Sequence, residues 1–407
     1  MYGTTRATQY GYSLWEFSVY GSGGGGTGCT GQSNTPNFGP NVYIFNPSES
    51  ATTINNTLNT IFNTQKVNQF GTQRYAELFD PGTYTGIEDN VGYYTSVQGL
   101  GQNPSSVALN DSDVTVDSFD GTGNATDNFW RSAENMEITP SAGNDRWAVA
   151  QAGPFERMDI NGGLELYPAS YGYASGGYIA DSIVTGQASS VSQQQYYTKD
   201  STLGSWSGSV WNMVFSGVNG APAQSFPSPP MTTLATTPVA RDIPYLYIDS
   251  SGNYHVFEPS LRTNAVGPSW SPSSNTAGTS VPMSQFFVAT PSDTAAQINA
   301  ALAEGCNLLF TPGVYTINQT TRTPSCSASA SRPSSRPAAW TPCTSLTWMA
   351  CGSRACCSTP APPTPTRCSR SARPTRARAT RATRSRSRTS SSGSAATSPA
   401  RPPTAWS

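Results

Sequence analysis

The sequence predicts an all-β protein built as a right-handed parallel β-helix, with the start of a second β-helix and a disordered C-terminal tail. Three observations carry this. Short apolar strands recur at a spacing in the low twenties. An opening motif occurs twice, 244 residues apart. The composition changes abruptly near residue 320, where acidic residues stop.

The period comes first. "NMEI" (Asn135–Ile138) and "RMDI" (Arg157–Ile160) lie 22 residues apart; "DSIV" (Asp181–Val184) and "NMVF" (Asn212–Phe215) follow. One apolar strand per period cannot bury itself, and only stacking on the neighbouring coil gives it a core. An antiparallel sandwich also uses short strands, at 8–12-residue spacing. It does not account for the opening motif, which puts a helix before a Pro-Gly turn. Each copy runs from a strand into a hydroxyl-capped helix: "YIFNPSESATTIN" (Tyr43–Asn55) and "FVATPSDTAAQIN" (Phe287–Asn299). A buried strand and a Pro-Gly turn follow in "LFDPGTY" (Leu78–Tyr84) and "LFTPGVY" (Leu309–Tyr315). Two copies imply two homologous domains.

The N-terminus reads differently. "QYGYSLWEFSVY" (Gln9–Tyr20) alternates aromatic and polar residues as one strand does, and "GSGGGGTG" after it is a flexible linker. The strand resembles the last strand of a discoidin-type carbohydrate-binding domain; the alternative is a strand that docks on the domain behind it. The expected organisation is therefore a remnant discoidin-like strand over 1–20 and a Gly-rich linker over 21–40. A first β-helix follows over 41–285, the beginning of a second over 286–320, and a non-native tail over 321–407.

The tail carries 14 of the 23 basic residues, six of the eight cysteines and no Asp or Glu. The remainder holds 9 basic and all 24 acidic residues, a net of −15. "RPTRARATRATRSRSR" (Arg373–Arg388) has the look of a nucleic-acid grip, since phosphates reward such runs, or of a disordered linker. A reading-frame slip near 320–324 accounts for more. Read one nucleotide earlier with GC-rich codons, "SCSASASRPSSRP" (Ser325–Pro337) becomes a strand with "GLG", as in "VQGLG" of the first copy. Trp340 and Trp348–Met349–Ala350 then yield Asp and Asp-Gly whatever the third-base choice. The tail is expected to be out of frame, and no nucleic-acid partner is assigned.

No stretch spans a membrane and no signal peptide is present in this chain. Cys29 and Cys306, the two body cysteines, lie too far apart in sequence to read as a disulfide framework. One histidine and scattered cysteines fit no usual metal spacing, so no metal or cofactor is called for. His255, in the hairpin "LYIDSSGNYHVFEP", reads as an exposed strand position.

Several segments resemble the pectate-lyase-like superfamily, and specifically glycoside hydrolase family 55, the exo-β-1,3-glucanases. They are the duplicated openings, "VQGLGQNPSSV" (Val97–Val107), "NFWRSAENMEI" (Asn128–Ile138), "RWAVAQAGPFERMDI" (Arg146–Ile160) and "SQQQYY" (Ser192–Tyr197). The resemblance implies two β-helices side by side with the sugar between them. It also implies an inverting reaction, with an acid from the second helix and a water held by polar residues of the first. Gln151, Gln194 and Gln195 sit where the family's water-holding glutamines are expected; an amide both accepts from water and donates to a hydroxyl. The competing reading makes them a polar ladder between coils. Trp130, Trp147, Tyr196, Tyr197, Trp206 and Trp211 are candidates for a sugar-stacking platform, against core packing for each. Glu134, Glu137, Glu156, Asp159 and Glu165 read mostly as solvated.

The expected parent is a secreted, monomeric hydrolase acting on a polysaccharide, β-glucan foremost, with this chain inactive because half of the cleft is missing. The alternative is a non-catalytic glycan-binding or structural β-helix.

Overall fold

The computed structural model describes Cys29, residues 33–319, and the backbone of two short strands at 341–343 and 347–349. The discoidin-like strand and most of the Gly-rich linker lie outside the described residues.

The first coil opens with β1 (Val42–Phe45), α1 (Ala51–Gln65), β2 (Tyr75–Phe79) and β3 (Gly82–Thr85). Ser50 caps α1 by accepting from the Thr53 amide, offsetting one of the orphan donors of the first turn. Coils follow through β4 (Glu88–Asn90), β5 (Thr95–Gly99), β6 (Val107–Asn110), β7 (Asp113–Thr115), β8 (Arg131–Thr139), β9 (Asn144–Arg146), β10 (Pro154–Ile160) and β11 (Gly163–Glu165). The stack ends with β12 (Gly177–Ala180), β13 (Ile183–Ser189), β14 (Gln195–Lys199), β15 (Thr202–Ser207), β16 (Asn212–Ser216) and β17 (Met231–Leu234). Its main face runs in the parallel order β1-β2-β5-β8-β10-β12-β14-β16-β17.

The 22-residue spacing is a structural register: Met136 pairs with Met158 and Ile138 with Ile160, which in turn pairs with Val184. These residues point inward, one layer per coil, into a core that also takes Phe79, Phe155, Met213 and Phe215. The loop that leads from β16 into β17 folds back over the outer edge of β17. Ser225 and Phe226 donate to the Met231 carbonyl, and the Gln224 side chain accepts from the Thr233 amide. A proline-bearing cover leaves few free donors for another strand.

The parallel stack thus stops at Leu234 rather than near 285. Residues 237–282 form antiparallel sheets instead: β18 (Thr237–Ala240) with a later strand, then β19 (Tyr245–Ile248) paired to β20 (Tyr254–Pro259), β21 (Arg262–Ala265) returning to β18, and β22 (Gly278–Pro282) on β20. Period alone misses this, because hairpin strands of four to six residues look like coil strands.

The duplicated opening recurs as β23 (Phe286–Ala289), α2 (Ala295–Ala303), β24 (Asn307–Phe310) and β25 (Gly313–Tyr315). The two copies agree atom for atom. The Tyr84 hydroxyl donates to the Phe45 and Asp80 carbonyls, and the Tyr315 hydroxyl to those of Ala289 and Thr311. Each tyrosine meets the preceding phenylalanine edge-on, Phe79 at 5.3 Å and Phe310 at 5.0 Å. Gly82 lies against Pro47 and Gly313 against Pro291, so closely that a side chain at either glycine collides with the ring.

The openings sit side by side. Ala76, Leu78 and Leu100 from the outer face of the first stack share one core with Phe286 and Leu309 of the second copy, sealed by Leu246, Val256, Met283 and Phe38. Cys29 is disulfide-bonded to Cys306, across 277 residues. This corrects the expectation that two cysteines so far apart make no disulfide framework; sequence distance says nothing about distance in space.

In the first copy β2 continues into the parallel strand β5. In the second, β24 is met antiparallel by β27 (Thr347–Met349), and β25 by β26 (Thr341–Cys343). Disorder was expected here, yet these six residues are paired, because an open edge of backbone groups accepts any strand within reach. The rest of the tail, with its arginine run, lies outside the described residues.

Candidate functional site

On a parallel β-helix, residues that enter consecutive strands stack in a row. Tyr94, Trp130, Ala152 and Gly176 occupy such a row on successive coils, all with left-handed backbone at φ between 58° and 93°. The row is held by its own ladder. Tyr94 N donates to Trp130 O, Trp130 N to Ala152 O at 2.8 Å, and Gly176 N to Gln195 O at 2.9 Å. One coil beyond the Gln194–Gln195 corner stands Trp211, whose amide donates to Gln194 O at 2.8 Å. A non-glycine residue held at positive φ costs about 1–2 kcal/mol, and three of these four positions are not glycine.

Polar side chains cluster along this row. Gln151 is exposed at the corner beside Ala152 and lies over Gly176, where a Cβ would sit 3.1 Å from its Cγ and 3.3 Å from its Nε2. Gly176 is what lets the Gln151 amide cross to the next coil. There Ser175 accepts from Gln195 Nε2 at 3.4 Å. Two of the three predicted glutamines are therefore gathered around Ser175 and Gly176, on three successive coils. Gln194, half-buried, contributes its backbone.

The aromatic candidates separate. Trp211 is 59% exposed. Trp130 is half-buried and stacks on Tyr94 at 4.9 Å, 15° from parallel. Tyr197 lies on the outer face of the sheet, 5.5 Å from Tyr178. Trp147 and Tyr196, in contrast, are corrections: both are buried in the core and present no face to a sugar. Trp147 donates its Nε1–H to Gly153 O and packs 5.3 Å from Phe155. Tyr196 faces inward because it alternates with the outward Gln195 and Tyr197, and burial pushes its hydroxyl pKa up. Trp206 packs edge-on against Phe215 at 4.9 Å and its Nε1–H is used on Gly208 O, so it supports the core more than a surface.

Residues 286–326 match the model of the LAM55 pectate lyase-like domain. The chain is 55% identical over 282 residues to an exo-beta-1,3-glucanase of Streptomyces sp. (strain SirexAA-E / ActE), covering 69% of this chain and 46% of that one. The solved structure of sacteLam55A from Streptomyces sp. SirexAA-E superposes with a TM-score of 0.68 at 53% identity, covering 71% of this chain and 52% of that one. A variant of it in complex with glucose superposes at 0.67 with 54% identity, covering 70% and 50%. The chain is a glycoside hydrolase family 55-like β-helix protein. It spans about half the length of the relatives it matches.

Within this family-55-like frame, several residues escape a reading of the sequence. Gln193 is fully buried, donating from Nε2 to the Val149 and Leu166 carbonyls and accepting from the Gly176 amide. The first glutamine of "SQQQYY" is thus a bond between coils, and strand alternation gives no signal for it, since it shares the parity of the outward Gln195. Glu156 and Asp159 are buried rather than solvated, and burial, with Glu137 nearby, pushes Asp159 up to about 6. Glu165 instead pairs with Arg146, and Glu137 accepts from Asn161. His255 is half-buried, its Nε2 at 2.9 Å from Asp249, its ring stacked on Tyr247. A charged cluster joins the stack to the antiparallel segment. Arg157 Nη1 donates to Asp181 Oδ2 and to Thr276 Oγ1, its guanidinium 4.0 Å above the Tyr245 ring. Arg262 and Lys199 both reach Asp242.

No helix among the described residues is long and apolar enough to cross a membrane.

Proposed function

We propose that this chain is part of a secreted exo-β-1,3-glucanase-like glycoside hydrolase, and that its first β-helix supplies the sugar- and water-holding half of the site. The observation that carries the reading is the exposed Gln151 amide laid over Gly176 beside the Gln195–Ser175 pair, on a chain 55% identical to an exo-beta-1,3-glucanase. Inverting hydrolysis needs a carboxylic acid on the leaving oxygen and a group that orients water on the opposite face. The corner row holds amides and hydroxyls suited to the second task. Trp211 is the exposed aromatic face beside them, and Trp130 stands in the same row, stacked on Tyr94.

This length of chain binds β-glucan and does not cleave it, because the acid belongs to the second helix and the tail is out of frame. The antiparallel contacts of β26 and β27, where the first copy continues in parallel, support that reading of the tail. The disulfide from Cys29 to Cys306 fits an oxidising, extracellular setting. The net charge of −15 on residues 1–320 disfavours nucleic acid as a partner of the body. The molecule acts as a monomer and needs no cofactor.

Reducing sugar released from laminarin by the chain, and by a frame-restored version, tests this. Retention on laminarin by both with release only by the restored protein is the expected result. Release by neither refutes the enzyme and leaves a glycan-binding or structural β-helix. An intact frame around codon 320 on resequencing refutes the slip.

A further inference from the structure

Two tyrosines that the sequence reading did not select stand out at the loop just ahead of Ser175. Tyr171 is 70% exposed and Tyr173 53% exposed. Tyr171 is held at φ 61°, in the left-handed region that a bulky side chain disfavours. It lies outside the corner row, at the end of a turn that its own amide closes on the Pro168 carbonyl at 2.9 Å, with its ring edge-on to Tyr167 at 6.4 Å. The loop is nonetheless fixed from both neighbouring coils. Above, the Tyr173 amide donates to Asn124 Oδ1 and its carbonyl accepts from the Ala125 amide, each at 2.8 Å. Below, Ser192 Oγ donates to the Gly172 carbonyl at 2.6 Å. Gly172 itself presses on the Gly123 carbonyl, leaving no room for a Cβ. Aromatic rings exposed to water gain little by being held rigidly, yet here the backbone is strained and clamped around two of them. Strain kept at an exposed aromatic is a mark of pre-organisation for a ligand.

We infer that Tyr171 and Tyr173 form a sugar-ring platform, a second holding point for the glucan chain beside the Gln151–Ser175–Gln195 corner. The inference rests on the proposed reading of that corner and extends it along the substrate. Flat aromatic faces bind the C–H faces of pyranose rings by dispersion and exclusion of water. Tyr171 precedes Ser175 by four residues, so their Cα atoms are at most about 14 Å apart. A chain that extends from the corner toward this loop passes the platform, and such a ligand, longer than a single sugar, gains from it.

The test is affinity electrophoresis of the intact chain in gels containing laminarin, with cellulose-type β-1,4-glucan and mannan as further matrices. Tyr171→Ala with Tyr173→Ala is expected to weaken laminarin retention about tenfold, while the Phe double variant keeps it. Tyr171→Gly separates function from scaffold. It relieves the positive φ, so the melting midpoint rises while retention falls. Retention by laminarin unchanged in the Ala double variant overturns the platform and leaves the corner reading standing. Retention of the parent on another polysaccharide only, lost in the variant, keeps the platform and overturns β-1,3-glucan. No retention of the parent on any of the three overturns both. A midpoint that falls in Tyr171→Gly assigns the conformation to folding and overturns the inference.

Discussion

Replacing Asp89 by Asn should relieve part of an alkaline weakness built into the first coils. Glu77 lies on β2 between Tyr43 and Val97, and Asp89 lies on β4 beside Val114. Both are buried inside the stack, and their carboxyls hydrogen-bond each other with no other partner for Glu77 Oε2 or either Asp89 oxygen. Two facing carboxyls need a proton between them. Asp145, buried on β9, adds to the negative field along with Asp113, and none of Glu77, Asp89 and Asp145 forms an ion pair among the described residues. Burial pushes Asp89 up to about 7, against the Glu77 hydrogen bond that pulls it down; burial and the Asp89 charge push Glu77 well above the usual carboxylate range. The native state therefore holds protons that the unfolded chain has released. The stability these carboxyls contribute is full below about pH 4 and is lost as pH rises, for Asp89 through about 7. For Asp89 alone, three pKa units at 1.36 kcal/mol each make about 4 kcal/mol between pH 4 and pH 8. An amide keeps the shape and a donor for Glu77 but carries no charge. At about 2 °C per kcal/mol, the Asn variant should melt about 8 °C above the parent at pH 8 and within about 2 °C of it at pH 4. Calorimetric scans across that range decide it. A difference between the two proteins that stays constant with pH refutes the shared proton.

Two further outcomes follow from the links between the stack and the segments packed on it. Arg157→Met leaves the buried Asp181 with Arg262 at 3.7 Å and the Ser269 donors only, and should cost about 3–5 kcal/mol in urea unfolding. Combined with Asp181→Asn the loss should be smaller than the sum by about 1–3 kcal/mol; strict additivity would mean that the pair does not act as one. Cys306→Ser opens a 277-residue loop and should cost about 2–5 kcal/mol. Its melting midpoint should match that of the reduced parent, and a parent indifferent to reductant would contradict this.

The parts of the fold that repeat were legible, and the parts that close it were not. "NMEI" and "RMDI" found their register because inward Met and Ile must stack coil on coil. The openings were found because Ser50 and Thr294 cap helices and because Gly82 and Gly313 must clear a proline. The same motifs hid what their polar members do. Asn135, Arg157 and Asp181 read as strand edges, yet all have left-handed backbone and are buried where the stack meets the antiparallel segment. The partners of Arg157, Thr276 and Tyr245, and that of Asp181, Ser269, are more than 60 residues away in sequence, and no local pattern announces them. At the candidate site, strand alternation decides only part of the row. Gln195 and Tyr197 point out and Tyr196 in along β14, whereas Gln193, with the same parity as Gln195, is buried in the turn ahead of the strand, where alternation does not hold. Trp147 is a similar case, since a tryptophan beside a corner can serve either the core or a ligand.

The second opening holds its shape with only three strands and a helix of its own, and the shared core explains how. In an isolated coil the outer faces of β23 and β24 would stand in water, and the unit would lack the neighbours that repeats require. Here Phe286 and Leu309 are buried against Leu78 and Leu100 of the first stack, with the β19–β20 hairpin filling the seam. Its inner face closes over Ile298 and Leu302 of α2, and Cys306 ties the end of that helix to the N-terminal segment. Stability along this fold is therefore lateral as well as axial. Whatever stacks on β24 inherits a position beside the first helix that Leu78, Leu100 and the hairpin have already set.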